Sequence, residues 1–320
     1  MQQTKELDGM LRFDGRVAVV TGAGRGLGRA YAMLLAARGA SVVVNDLGVN
    51  RDGTDAGEDR AGAVVAEIEA AGGTAVASRD TVSTRAGGTA IIDTALERFG
   101  RIDVVVSSAG PIGGMAFGDV TDDELDLYLN GHLRGAFHVI QPAWGHLLAQ
   151  GYGRIVIVTS QAILGSPGTT PYASAKGGLL GLTKALAVET PGTGVLVNAI
   201  MPSANTPATE GMGTPAFTDW FANFTPELVA PVVAYLAHER CDLNGETFVA
   251  GAGRVARFFL ATSKGIYDPE LTLEEVAART EEILDQSRGY DASTSAMEDL
   301  GLWCEHVPFP DTGDQMAWSS

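Results

Sequence analysis

The run Arg16-Val17-Ala18-Val19-Val20 leads without a break into Thr21-Gly22-Ala23-Gly24-Arg25-Gly26-Leu27-Gly28, and from there into an alanine-rich stretch, Arg29 to Arg38. The short β-branched run predicts a buried strand, the glycines a tight turn, and the alanines a helix. That order is what a dinucleotide site requires. Glycine lets the backbone approach a pyrophosphate, and a helix N-terminus supplies free N–H groups and a partial positive charge. The spacing is Gly-x-x-x-Gly-x-Gly rather than the commoner Gly-x-Gly-x-x-Gly. Gly22, Arg25, Gly26, Leu27 and Gly28 are the expected cradle. A second run, Ser41 to Asn45, ends at Asp46, about twenty residues beyond the glycines, where a carboxylate can meet the adenosine ribose. A carboxylate there repels a 2′-phosphate and favours NAD over NADP. Arg25 pulls the other way, but the close-range clash at Asp46 dominates.

The same alternation continues down the chain. Strands are expected at Thr74–Ser78, Ile102–Val106, Ile155–Val158 and Val195–Ile200, with helices at Ala63–Ala71, Ala86–Phe99, Leu133–Gln150 and after Tyr172. Thr121 with Glu124 three residues on reads as a capping box. Six strands separated by helices predict an α/β fold, a doubly wound parallel sheet of Rossmann type. Ligands of such sheets sit at the carboxyl ends of the strands. Gly22, Asp46, Asp80, Ser108, Ser160 and Pro202 all fall at or just past those ends. Thr81, Ala109 and Gly110 extend the expected cofactor surface, Asp80-Thr81 toward an adenine ring.

Net charge is −17, which argues against nucleic acid and against an anionic membrane surface. Cys241 and Cys304 are the only cysteines, so neither a disulfide framework nor a Cys-rich metal site is expected. No apolar run approaches the ~20 residues of a membrane span. Met1 to Asp14 carries no signal-peptide core, and Ala317-Trp318-Ser319-Ser320 matches no peroxisomal or reticular address. The expectation is a cytoplasmic location.

Pro171-Tyr172-Ala173-Ser174-Ala175-Lys176 places a phenol and an ammonium four apart, on one helix face. A free tyrosine has a pKa near ~10, and a neighbouring cation lowers it. Such a pair in a cleft is a proton-transfer centre for an alcohol or ketone. Together, Thr21 to Gly28, Ser107 to Gly110, Ser160 and Tyr172-x-x-x-Lys176 resemble the short-chain dehydrogenase/reductase family over roughly residues 12 to 255. Within it, residues 28–32, 42–48, 132–135, 227–233 and 251–253 are similar to the dehydrogenase portion of type 2 peroxisomal multifunctional enzymes, which acts on (3R)-hydroxyacyl-CoA esters and 17β-hydroxysteroids.

The resemblance implies Tyr172 as general acid/base, Lys176 lowering its pKa and binding the nicotinamide ribose, and Ser160 bonding the reacting oxygen. Three departures stand out. The Ser-to-Tyr spacing is one residue short, so counting back from Tyr172 reaches Thr159, whereas the strand register reaches Ser160; the strand register is preferred. Ser108-Ala109-Gly110 replaces the usual Asn-Ala-Gly. His132 occupies the place where many relatives carry a catalytic asparagine, either to relay a proton to water or to make a structural hydrogen bond at a helix start.

Residues 203–225 are rich in Thr, Pro and Gly and carry Phe217, Trp220, Phe221 and Phe224, a candidate substrate lid. The organisation expected is an N-terminal arm over 1–14, the Rossmann-type domain over 15–253, and a C-terminal extension over 254–320. That extension should hold a capped helix from Leu273 to Gln286, with Thr272 at the N-cap, and then a loop with Trp303, Pro308, Pro310 and Trp318. The expected activity is NAD-dependent interconversion of a secondary alcohol and ketone on a bulky apolar substrate, a hydroxysteroid or alicyclic alcohol. The alternatives are a (3R)-hydroxyacyl-CoA dehydrogenase and, in another class, a non-catalytic dinucleotide sensor or scaffold. The lid lacks basic residues for a thioester carrier, which favours the apolar alcohol. The resemblance implies a homodimer or homotetramer through residues 133–150 and 173–189.

Overall fold

The computed structural model describes residues 10–49, 58–207, 209, 214–303 and 306–307. The chain divides into two compact units, Met1–Phe258 and Phe259–Ser320. In the first, strands β1 (Val17–Thr21), β2 (Ser41–Asn45), β3 (Thr74–Ser78), β4 (Val104–Ser107), β5 (Gly153–Val158), β6 (Val195–Pro202), β7 (Thr247–Gly251) and β8 (Arg254–Phe258) form one sheet. Its order is β3-β2-β1-β4-β5-β6-β7-β8. All pairs are parallel except β7–β8. The doubly wound parallel sheet is thus present, with eight strands instead of six. The two further strands, Thr247–Gly251 and Arg254–Phe258, fall outside the expected alternation, and the two arginines of Arg254–Phe258 break its hydrophobic pattern.

The central strands are apolar throughout because each is covered on both faces. Alternate residues feed two cores. Val20, Val44, Val106 and Val156 pack with Tyr31, Leu35, Val64, Ile68 and Val233 from the helices Gly26–Ala37, Arg60–Ala70 and Ala230–Ala237. Val19, Val43, Val105 and Ile155 pack on the other side with Ile91, Ile92, Val139 and Leu179 from Arg85–Phe99, Gly135–Ala149 and Thr170–Glu189. Truncating such a side chain to alanine costs about 2–5 kcal/mol. The strand order reverses between β1 and β4, which opens a crevice at their carboxyl ends.

The expected helix around residues 133–150 starts earlier and is not uniform. Asp122–Tyr128 is α-helical, Leu129–Arg134 forms a π-helical turn, and Gly135–Ala149 returns to α geometry. Thr121 caps the first segment, accepting from Glu124 N at 3.3 Å.

Within the second unit, β9 (Thr262–Ser263) pairs antiparallel with β10 (Tyr290–Asp291). The single helix expected over 273–286 is two, Leu273–Ala278 and Thr280–Leu284. Thr280 Oγ1 donates to Val276 O at 2.8 Å, a local bond that competes with the helix ladder and accompanies the break at Arg279. The N-cap expected at Thr272 is present, accepting from Glu275 N at 3.2 Å. Ahead of Trp303, Ala296–Leu302 is helical rather than loop, capped by Ser295. Cys304, Pro308, Pro310 and Trp318 lie outside the described residues.

Candidate active site

A cleft of about 920 Å³ runs along the carboxyl ends of the strands, within the range of small-molecule sites. At one end lies the glycine turn. Gly22 has φ +66° and touches the β4 tip so closely that a Cβ would lie 2.8 Å from Ala109 Cα. A Cβ on Gly28 would overlap the Gly22 carbonyl. The turn is therefore bare backbone by necessity. Thr21 Oγ1 fastens it to the neighbouring strand, accepting from Ser108 N at 3.0 Å and Ala109 N at 3.1 Å. Asp46 faces the turn, its Oδ2 accepting from Gly24 N at 2.9 Å and its Oδ1 from Gly48 N at 2.8 Å. Asn45 Nδ2 donates to Asp80 O at 2.9 Å, and Ser78 Oγ to Asp80 Oδ2 at 3.0 Å. Arg25, Gly26, Leu27, Thr81, Ser108, Ala109, Gly110 and Pro202 also line the cleft, so every cofactor position expected from the sequence converges on it. The collision-bound glycines and the open N-terminus of Gly26–Ala37 fit a dinucleotide.

At the other end stand Ser160, Tyr172 and Lys176. Lys176 is buried and donates from Nζ to Val158 O at 2.7 Å. Burial lowers its pKa to about 7. Tyr172 departs from expectation. Burial raises its pKa above the usual phenol value, with Tyr128 adding to the rise and the hydrogen bond with Ser160 opposing it. Lys176 Nζ lies 5.7 Å from the Tyr172 ring centroid and is anchored to the backbone instead of the phenol. Burial therefore outweighs the neighbouring ammonium in setting the direction of the shift.

The two candidates for the substrate-oxygen donor differ in how their hydroxyls are used. Thr159 is buried and donates to Lys176 O at 2.7 Å. Ser160 accepts from Ala162 N at 3.1 Å and lines the cleft together with Tyr172. His132 is buried in the π-helical turn, its Nε2 2.8 Å from Pro111 O.

The remaining wall comes from residues with no assigned role in the sequence pattern. The strap Pro111–Gly114 and the turn Gly165–Thr169 line the cleft, and a Cβ on Gly114 would overlap Gly168 O. Ser203 Oγ donates to Gln161 Oε1 at 3.1 Å across the opening. In the expected lid, residues 208 and 210–213 lie outside the described set, but Pro215–Phe221 is helical. Phe217, Trp220, Phe221 and Phe224 pack on one another with centroids 4.6–6.3 Å apart, and Phe221 reaches the cleft. Among these, only the Thr hydroxyl before the first glycine carried a readable signal.

Residues 16–213 match the family model described as short chain dehydrogenase. The chain belongs to the short chain dehydrogenase family. It is 46% identical over 274 residues to a short-chain type dehydrogenase/reductase of Mycobacterium tuberculosis, covering 85% of this chain and 95% of that one. It is 40% identical to the peroxisomal hydratase-dehydrogenase-epimerase of Neurospora crassa, covering 80% of this chain and 28% of that protein. The full-length peroxisomal multifunctional enzyme type 2 from Drosophila melanogaster superposes with a TM-score of 0.76 at 35% identity, over 92% of this chain and 50% of that one. The chain thus spans nearly all of its mycobacterial relative but half or less of these multifunctional proteins. As a short chain dehydrogenase it is an oxidoreductase that uses a nicotinamide dinucleotide on a small-molecule substrate. Among the described residues no helix is long and apolar enough to cross a membrane, and no cluster of metal-ligating side chains occurs.

Proposed function

We propose that the protein oxidises a 3-hydroxyacyl thioester to the 3-ketoacyl thioester, and reduces it in reverse, using NAD. The observation that carries the alcohol–ketone chemistry is the convergence of Ser160, Tyr172 and buried Lys176 on the far end of a cleft that begins with a dinucleotide cradle. The thioester is supported by the likeness to a hydratase-dehydrogenase-epimerase over most of this chain. It displaces the apolar alcohol preferred from the lid composition, because that preference rested only on missing basic residues.

Ser160 holds the substrate oxygen. Tyr172 accepts the hydroxyl proton as the carbinol carbon loses hydride, and returns it in reduction. When bound, the nicotinamide supplies the hydride acceptor or donor. Lys176 is held by Val158 O on the cofactor side of Tyr172, where its ammonium can stabilise the phenolate and bond a ribose hydroxyl. Asp46 accepts from ribose hydroxyls and opposes a 2′-phosphate, which is the basis for NAD.

A free hydroxysteroid or alicyclic alcohol remains the second reading, favoured by Phe221 and the aromatic cluster behind it. Purified protein assayed with NAD against (3R)-hydroxyacyl-CoA and free steroid alcohols separates the two. NADH formation with the thioester at a kcat/KM at least ten-fold higher is expected. Preference for the free alcohols would overturn the thioester, and no turnover of either would favour a sensor. A homodimer or homotetramer is also proposed, because Phe137 and Val188 are exposed on the helices Gly135–Ala149 and Thr170–Glu189. Light scattering at a monomer mass would exclude it.

A further inference from the structure

His132 is a buried titratable group that the proton transfer above does not use. It sits in the π-helical turn Leu129–Arg134, where the wider i→i+5 bonding shifts the helix register. Within that turn the His132 ring lies nearly parallel to Tyr128, at an interplanar angle of 14°. Both rings meet Tyr172 edge-on, His132 with centroids 5.3 Å apart and Tyr128 with 6.2 Å. Edge-to-face contacts at these distances are favourable and restrict ring rotation.

The protonation state follows from the partners. Pro111 O can only accept, so Nε2 must carry the proton. Nδ1 is buried without a hydrogen-bond partner. Burial first, and the Lys176 charge second, hold the imidazole well below its usual pKa, while the Pro111 and Ala109 carbonyls pull weakly upward. Gly110 lies against the ring so closely that a Cβ there would overlap it. A relay through the ring would need partners able to pass a proton on, whereas the polar neighbours of this ring are backbone carbonyls, which only accept.

We propose that His132 is a positioning residue: its ring ties Gly110 and Pro111 to the π-helical turn and backs the Tyr172 ring, so that the phenol stays aimed into the cleft beside Ser160. The proposal rests on Tyr172 being the acid/base group, and it assigns His132 no proton of its own to transfer.

Two variants and one measurement on the unaltered protein test it. His132→Gln keeps a donor within reach of Pro111 O, whereas His132→Leu fills space without one. The glutamine variant should hold kcat within about three-fold. The leucine variant should lose about 10- to 100-fold in kcat, with the KM for NAD within two-fold and the acid limb of the pH profile unmoved. Glutamine failing to rescue the leucine loss, or leucine retaining full kcat, overturns the proposal. Nitrogen-15 NMR of histidine-labelled protein, with and without NAD, gives a readout independent of turnover. The ring signal absent from His132→Gln should report the Nε2–H tautomer unchanged from pH 5.5 to 8.5. Titration in that range, or the Nδ1–H tautomer, overturns it. Full activity in Tyr172→Phe would instead remove the acid/base reading while leaving the NMR result standing.

Discussion

The two ends of the cleft are built on opposite principles. At the dinucleotide end the walls are backbone in contact with backbone: Gly22 against Ala109, Gly28 against the Gly22 carbonyl, Asp46 bonded to two amides. Residue identity there is fixed by collision, and a single methyl group is too much. At the substrate end the walls are side chains and loops, with Phe221 backed by exposed Phe217 and Trp220. Identity there is set by what must be recognised, and many residues would fit. The cradle shared by a family is therefore rigid, while the substrate wall is free to differ.

Predictions that sharpen this contrast differ in size. Tyr172→Phe keeps the ring contacts and removes only the proton carrier; kcat should fall about 10²–10⁴-fold with NAD affinity intact, by steady-state kinetics and fluorescence titration. Lys176 comes next. Burial holds it at about 7 in the folded protein against 10.5 for an unperturbed lysine. Between those values the unfolded chain binds a proton that the folded chain does not. Stability should therefore rise with pH from about 7 toward 10, by a few kcal/mol at most. Below about 7 both states are protonated and the burial penalty is full. Lys176→Met should flatten that rise in ligand-free melting curves; an unchanged slope would show that the ammonium is not desolvated.

Gly28→Val tests the collision argument. It should destabilise by about 1–3 kcal/mol and weaken NAD at least ten-fold. Normal binding by this variant would break the contrast outright. Asp46→Ser removes a charge-assisted acceptor and should shift the NAD/NADP ratio of kcat/KM by about ten-fold toward NADP. The smallest effect is expected from Phe221→Ala, a rise of about three- to ten-fold in substrate KM with kcat nearly unchanged. A loss in kcat equal to that of Tyr172→Phe would mean the aromatic wall is as constrained as the cradle.

The same division explains what could be read without coordinates. The glycine turn, Asp46, Asp80 and the Tyr172–Lys176 face were legible because each follows from spacing along one strand or helix. Preferring Ser160 to Thr159 meant weighing the strand register against the loop count, which spacing alone does not decide. The π-helical turn was not legible, since an extra residue in a helix leaves no mark on an otherwise helical pattern. Nor was the sign of the Tyr172 shift. Sequence places an ammonium one turn away, but only the packing shows that it bonds to Val158 O and that Tyr128 and His132 crowd the phenol. The strap at 111–114 was missed because glycines between strand and helix read as any loop.

Thr21 has a consequence that reaches across the molecule. Its hydroxyl oxygen is one acceptor for two successive amides, and its proton points to Val106 O at 3.5 Å, so the tips of two adjacent strands share a single rivet. Whatever settles on the first tip steadies the second, and through Gly110 the wall before the reacting oxygen. Losing that one hydroxyl would leave two successive amide donors without their acceptor at once, so the joint fails as a unit and not bond by bond.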